Sequence, residues 1–186
     1  MPNIKVIQHN ESEGELKEIY DNLVKTRGKL AEVHKIQSLN PKSIVNHIDL
    51  YMTIMFGNSP LKRYQREMMA VVVSKTNNCN YCINHHAEAL NHFWKDDYKL
   101  EQLKENYKNT ELSEKDMALC KYAEYLTLDP GLANIKDMTL PLKNVGFNDR
   151  AILDSSLVIS YFNFVNRLVQ SLGVTIEEDV GGYEYD

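Results

Sequence analysis

The sequence predicts an all-α fold, and three observations carry that expectation. Nearly every periodic stretch repeats its apolar residues at the helical interval. Helix-ending glycines at Gly28, Gly57, Gly146 and Gly173 fall where those stretches stop. No run alternates with period two for long enough to claim a strand. A chain of 186 residues with no low-complexity tract and no convincing linker reads as one domain over residues 1–186, large enough to bury one sizeable core.

The elements follow in order. Ser12-Glu13-Gly14-Glu15 has the form of a capping box, and Leu16, Ile19, Tyr20, Leu23 and Val24 then share one face up to Gly28. Asn40-Pro41 starts a second helix, with proline at the first helical position, and Ile44, Ile48, Tyr51, Met52 and Met55 carry it to Gly57. A third opens at Ser59-Pro60 and runs through Leu61, Tyr64, Met68, Val71 and Val72 to about Thr76. Asn77-Asn78 then interrupts the chain and offers a cap to a fourth helix, from Cys79 to about Phe93. A fifth centres on Leu100, Leu103 and Tyr107, and Ser113-Glu114-Lys115-Asp116 opens a sixth that reaches Leu126. After the turn signal Asp129-Pro130-Gly131 come a short helical piece closed by Gly146 and a long helix from about Asn148 to Leu172. The acidic, glycine-containing tail from about 177 to 186 reads as a flexible end or an intersubunit arm. Segments 61–90 and 145–174 both pair a polar start with a long apolar-periodic stretch, so an internally duplicated helical unit is one reading of the chain. That offset sets Asn163 and Asn166 against Cys79 and Cys82.

Composition excludes several functions. Twenty-one basic residues against 26 acidic ones, scattered along the chain, give no electrostatic footprint for nucleic acid. Neither an apolar leader after Met-Pro-Asn-Ile-Lys nor a stretch of about 18 apolar residues is present, so a cytoplasmic protein without a membrane partner is expected. Three cysteines do not make a disulfide scaffold. Two of them form Cys-x-x-Cys, which in a reducing compartment points to catalysis or metal binding, while Cys120, beside Leu119 and Ala123, reads as a small core residue.

The chemistry concentrates in Asn78-Cys79-Asn80-Tyr81-Cys82-Ile83-Asn84-His85-His86. Cys79 and Cys82 stand three apart and His86 four beyond, which places all three on neighbouring parts of one helical face. With Asn77 or Asn78 as cap, both sulfurs lie in the first turn, where free N–H groups and the positive end of the helix dipole favour a thiolate. His86 is then in reach to take the thiol proton, and Glu67, on the preceding helix, could orient its imidazole. Read alone, Glu67 is an ion-pair partner for Arg63 or Arg66, and His86 a satisfied interior histidine.

Taken together, Glu67, Cys79, Cys82 and His86 give E-x11-C-x2-C-x3-H, which resembles the signature of the AhpD-like alkylhydroperoxidases of the carboxymuconolactone decarboxylase superfamily. The run Tyr161-Phe162-Asn163-Phe164-Val165-Asn166-Arg167-Leu168 with Leu172-Gly173-Val174 is similar to the peroxidase-related subgroup, so the likeness covers most of the chain. The resemblance implies an all-α helical bundle, usually a homo-oligomer, acting on hydroperoxides with an external dithiol or thiol-redox protein as reductant and with no cofactor. It gives Cys82 the attack, Cys79 the resolving role, and His86 and Glu67 the proton relay. Tyr81 departs from the best-known members, which carry histidine between the cysteines, and this bears on rate and substrate preference. Three rival readings stand beside it. One is other chemistry on the same scaffold, such as decarboxylation, with the cysteines as a redox switch. Another is a zinc module built from Cys79, Cys82 and two of His85, His86 and His92, against which stands the difficulty of surrounding one ion from a single helix. A scaffold that assembles through helix faces without catalysis is the third.

Overall fold

A helix that is buried on every side decides this architecture. The computed structural model describes residues 1–134 and 136–177, and among them the chain forms helices α1 (Gly14–Arg27), α2 (Glu32–Lys35), α3 (Pro41–Phe56), α4 (Arg63–Thr76), α5 (Asn80–Trp94), α6 (Asp97–Asn106), α7 (Glu114–Leu128), α8 (Leu140–Asn144) and α9 (Asp149–Leu172), with short 3₁₀ turns between some of them and no strand. Every residue of α4 from Gln65 to Ser74 is buried, because α5, α7 and α9 pack around it and α3 and α6 close the remaining sides. The periodicity of Leu61, Tyr64, Met68, Val71 and Val72 describes only one of those faces. Gln65, Arg66 and Glu67 lie in the rest, and a polar side chain at such depth must find partners.

Arg66 finds four. Its Nη1 donates to the carbonyls of Ile54, Met55 and Gly57 at 3.2, 2.8 and 2.9 Å, and its Nη2 to that of Leu61 at 3.1 Å. These bonds tie off the C-terminal carbonyls of α3 and shape the connection into α4. Gly57 belongs to the same connection: a Cβ there would stand 2.3 Å from the Thr53 carbonyl oxygen, so the chain leaves the helix through a residue without one. A second, smaller core of Leu16, Tyr20, Leu23 and Ile44 holds α1 against α3. No described helix is long and apolar enough to cross a membrane.

Several sequence expectations change at their edges. Ser12 does not cap α1: its hydroxyl donates to the His9 carbonyl at 2.7 Å, closing a 3₁₀ turn, and Glu13 stands at the cap position. α4 begins at Arg63 rather than at Ser59, whose hydroxyl donates to Asp154 Oδ2 at 2.5 Å and accepts the Leu61 N–H. The one-turn helix α2, absent from the periodicity because four residues cannot display it, lies over the end of the molecule that holds the cysteines. Where segment 61–90 breaks between two helices, segment 145–174 continues unbroken through α9. Of the tail, Glu177 is described and is held by three partners, while residues 178–186 lie outside the described residues. The Arg66 anchor yields a prediction: Arg66→Met should lower unfolding free energy by about 3 kcal/mol, because it strips charged donors from four carbonyls at once, as read by urea denaturation.

Candidate active site

The site begins where α4 stops. Asn77 ends that helix, Asn78 takes a left-handed conformation (φ 56°) that asparagine tolerates, and the Cys79 N–H returns to the Ser74 carbonyl at 2.9 Å. α5 therefore starts at Asn80 with Cys79 itself in the N-cap position and Cys82 in the first turn. Neither Asn77 nor Asn78 caps it. The Asn77 amide is engaged elsewhere, donating to Asn163 and Asn166 of α9 at 3.0 Å each.

Both sulfurs are reduced and almost fully buried, Cys79 at 1% and Cys82 at 2% exposure. They bond to each other. The hydrogen shared with Cys82 lowers Cys79 below the ordinary thiol range, while the hydrogen bond to Cys79, reinforced by burial, raises Cys82. The pair thus releases its first proton readily and resists a second. With the hydrogen placed this way the charge rests on Cys79, and a proton moved along the one bond exchanges the two.

Glu67 and His86 do meet. The His86 Nδ1–H donates to Glu67 Oε2 at 2.6 Å, joining α5 to α4. A carboxylate can only accept, so Nδ1 carries the hydrogen and Nε2 is left to take a proton. The Glu67 side chain is wholly buried, and Arg63 Nη1 stands 2.6 Å from its other oxygen as an ionic contact rather than an aligned hydrogen bond. Burial pushes this carboxyl up, but His86 and Arg63 outweigh it and hold the group below its ordinary value. Arg63, not Arg66, is therefore the ion-pair partner.

Cys82 and His86 open together onto a cavity of about 90 Å³. Its walls include Tyr51 and His47 from α3, Tyr161 and Phe162 from α9, and His34 from α2, none of which the motif spacing marks. His47 is oriented by Gln37, whose Nε2 is identified as the amide nitrogen by the Val33 carbonyl it also reaches, at 2.9 Å. Burial pushes His47 down to about 4 and His34 to about 3, so both rings are neutral near pH 7. The His34 Nδ1 is buried without a hydrogen-bond partner.

Glu177 straps α2 to α5 at this end. Its Oε1 accepts the Glu32 N–H at 2.7 Å and the Tyr81 hydroxyl at 2.9 Å, and its Oε2 accepts His85 Nε2–H at 2.8 Å. The Tyr81 oxygen in turn accepts the Val33 N–H at 3.3 Å, so the residue between the cysteines holds α2 over the cavity. With Cys79 and Cys82 bonded together, His85 on Glu177 and His86 on Glu67, no three ligand-type residues converge in a way that could hold a metal among the described residues. Cys120 is fully buried in the core near α4, and burial pushes its thiol well up.

An all-α protein with a paired-thiol site at the start of a helix is the class these observations define. Residues 47–96, which contain Glu67, Cys79, Cys82 and His86, match the carboxymuconolactone decarboxylase family. The fold is similar to the alkylhydroperoxidase AhpD core of an uncharacterized peroxidase-related protein from Ralstonia eutropha JMP134, at TM-score 0.84 and 19% identity over 95% of this chain and 93% of that one. An uncharacterized peroxidase-related protein from Silicibacter sp. TM1040 is similar at TM-score 0.81 and 28% identity, over 92% and 89% of the two chains. The debrominase Bmp8 shares the fold at TM-score 0.75 and 16% identity, over 95% and 92%. No curated protein matches the chain. The family match is confined to residues 47–96, and over the rest of the chain the likeness to these proteins is one of fold.

The strap yields a prediction with a defined pH sense. Burial pushes the Glu177 carboxyl up, but the His85 and backbone hydrogen bonds outweigh it and hold it at about 2, against 4.5 for the free group. A depressed value means the strap contributes fully above about pH 4.5 and fades as pH falls toward 2. At neutral pH, Glu177→Ala should raise the rate at which a bulky maleimide labels Cys82 at least several-fold, measured by peptide mass spectrometry. An unchanged rate would mean that the strap does not limit access.

Proposed function

We propose that the protein is a thiol-dependent peroxidase that reduces compact organic hydroperoxides through a Cys79/Cys82 dithiol–disulfide cycle. The observation that carries this reading is the hydrogen-bonded thiol pair with Cys82 on the wall of a small, largely aromatic cavity shared by the Glu67-bound His86.

In the reaction, the pair has given its first proton to His86 Nε2 and keeps the second, which moves to the Cys79 side so that Cys82 carries the charge and which later leaves with the water. The Cys82 thiolate attacks the terminal peroxide oxygen, the O–O bond breaks, and the alcohol leaves with a proton from His86. Cys82 is then a sulfenic acid. Cys79 attacks it, water departs, and the disulfide forms. An external dithiol restores both thiols, taking the oxidation away. Glu67, as the acceptor on Nδ1, keeps the His86 ring oriented and supports its charge when it is protonated. The resemblance also implies a homo-oligomer, and α9 leaves Leu153, Leu157 and Phe164 exposed for such assembly.

Consumption of cumene hydroperoxide in the presence of excess dithiothreitol tests the reading. Cys82→Ser should abolish turnover, Cys79→Ser should stop it after one equivalent unless the added dithiol resolves the sulfenic acid, and His86→Ala should slow it by about 10²-fold. Full turnover by Cys82→Ser would overturn the assignment.

A further inference from the structure

The run Asn163-Phe164-Val165-Asn166-Arg167 on α9 is not used by the chemistry above, yet its amides converge beneath the cysteines. Asn166 is fully buried, a position where each amide hydrogen and lone pair needs a partner. Amide nitrogen and oxygen look alike by shape, so the direction of each bond must be read from neighbours that can act in only one sense. Two such neighbours exist. The Arg167 guanidinium can only donate, and its Nη1 lies 2.7 Å from Asn163 Oδ1. The Ile159 carbonyl can only accept, and it lies 3.0 Å from Asn163 Nδ2, which also reaches Thr127 Oγ1 at 3.0 Å.

Those two contacts fix Asn163, and Asn163 fixes the rest. Its oxygen takes a second hydrogen from Asn77 Nδ2 at 3.0 Å, which leaves the other Asn77 amide hydrogen for Asn166 Oδ1, also at 3.0 Å. The oxygen side of Asn166 is thereby committed. Its nitrogen must face the other way, where it donates one hydrogen to Ser74 Oγ at 3.2 Å and directs the other at the Cys82 sulfur. A reversed amide would set its oxygen against the sulfur and its hydrogens against those of Asn77.

We propose that Asn166 is the donor that holds the Cys82 thiolate, its N–H aimed at the sulfur by a chain of one-way hydrogen bonds running from Arg167 through Asn163 and Asn77. A donor fixed in advance favours the ionised sulfur without reorganising when charge arrives. It also acts on Cys82 and not on Cys79, so it lowers the cost of moving the charge of the pair onto Cys82. The Asn77-Asn78 interruption then has a second role: besides turning the chain, it sends the amide that orients Asn166 across to α9.

This inference rests on Cys82 as the attacking sulfur, and the experiment reads thiol ionisation rather than turnover, so the two can fail separately. In a Cys79→Ser background, the rate of Cys82 alkylation by iodoacetamide is followed against pH by peptide mass spectrometry, which separates it from Cys120. The ionisable groups around that sulfur, His85, His86, Tyr161, His34, His47 and Arg27, are the same in every variant. Asn166→Leu, uncharged and of similar size, should move the alkylation midpoint upward by about one pH unit. Asn77→Leu, which leaves Asn166 in place but unaimed, should move it upward by less, and carries the test if the first variant does not fold. Ser74→Ala removes the other partner of the same amide and should leave the midpoint where it is. An unchanged midpoint in the Asn77 or Asn166 variant, or an equal rise in the Ser74 variant, would overturn the proposal. Absence of peroxide turnover by the unsubstituted protein, with the predicted midpoint shifts, would instead count against the peroxidase reading alone.

Discussion

Placing the Glu67 carboxylate in the middle of a helix buried on all sides is the constraint to which the rest of the molecule answers. Removing a carboxylate from water costs several kcal/mol even after relaxation, and α4 offers only its own flank and one neighbouring helix to offset that. Arg63, one turn earlier on α4, meets one oxygen, and His86 from α5 meets the other at 2.6 Å. The second contact requires α5 to lie along α4 in a single register. Since Cys82 is one turn before His86, that register also decides where the sulfur opens.

The same economy of partners shapes the cavity. Its wall is contributed by α2, α3, α5 and α9, elements distant in sequence that meet only because all but α2 pack on or beside α4. α2 is too short to hold its place by itself. Backbone N–H groups of Glu32 and Val33 are received by Glu177 and by Tyr81, so Tyr81, between the cysteines, has a clear task in this chain. The amides of Asn77, Asn163 and Asn166 join the end of α4 to α9, and that of Asn166 meets Cys82.

How much of this was legible in the sequence depended on the kind of interaction. Helices with a clear apolar period, such as α3 with Ile44, Ile48 and Met55, were readable because the signal repeats. The E-x11-C-x2-C-x3-H spacing led to Glu67, Cys79, Cys82 and His86, and the structure brings Glu67 onto His86 and the two sulfurs onto each other. Caps were harder: Ser12 and Asn77 carry the right chemistry for capping, yet each has a tertiary partner that sequence spacing cannot reveal. His34, His47 and Tyr161 enter the cavity from separate helices with no local motif, and Glu177, in an acidic tail, read as part of a flexible end or an intersubunit arm. Asn166 was singled out by an apparent repeat offset, whereas its proximity to Cys82 comes from the packing of α9 on α4.

The central claim, that Cys79 and Cys82 exchange two thiols for one bond when a hydroperoxide enters the cavity, is tested most directly by disulfide mapping. Reduced protein is given one equivalent of cumene hydroperoxide, quenched in acid, digested and sequenced by mass spectrometry. The account predicts one Cys79–Cys82 crosslink for each cumyl alcohol formed, with Cys120 still a thiol. Alcohol formed while both thiols stay reduced, or no alcohol at all, would contradict it.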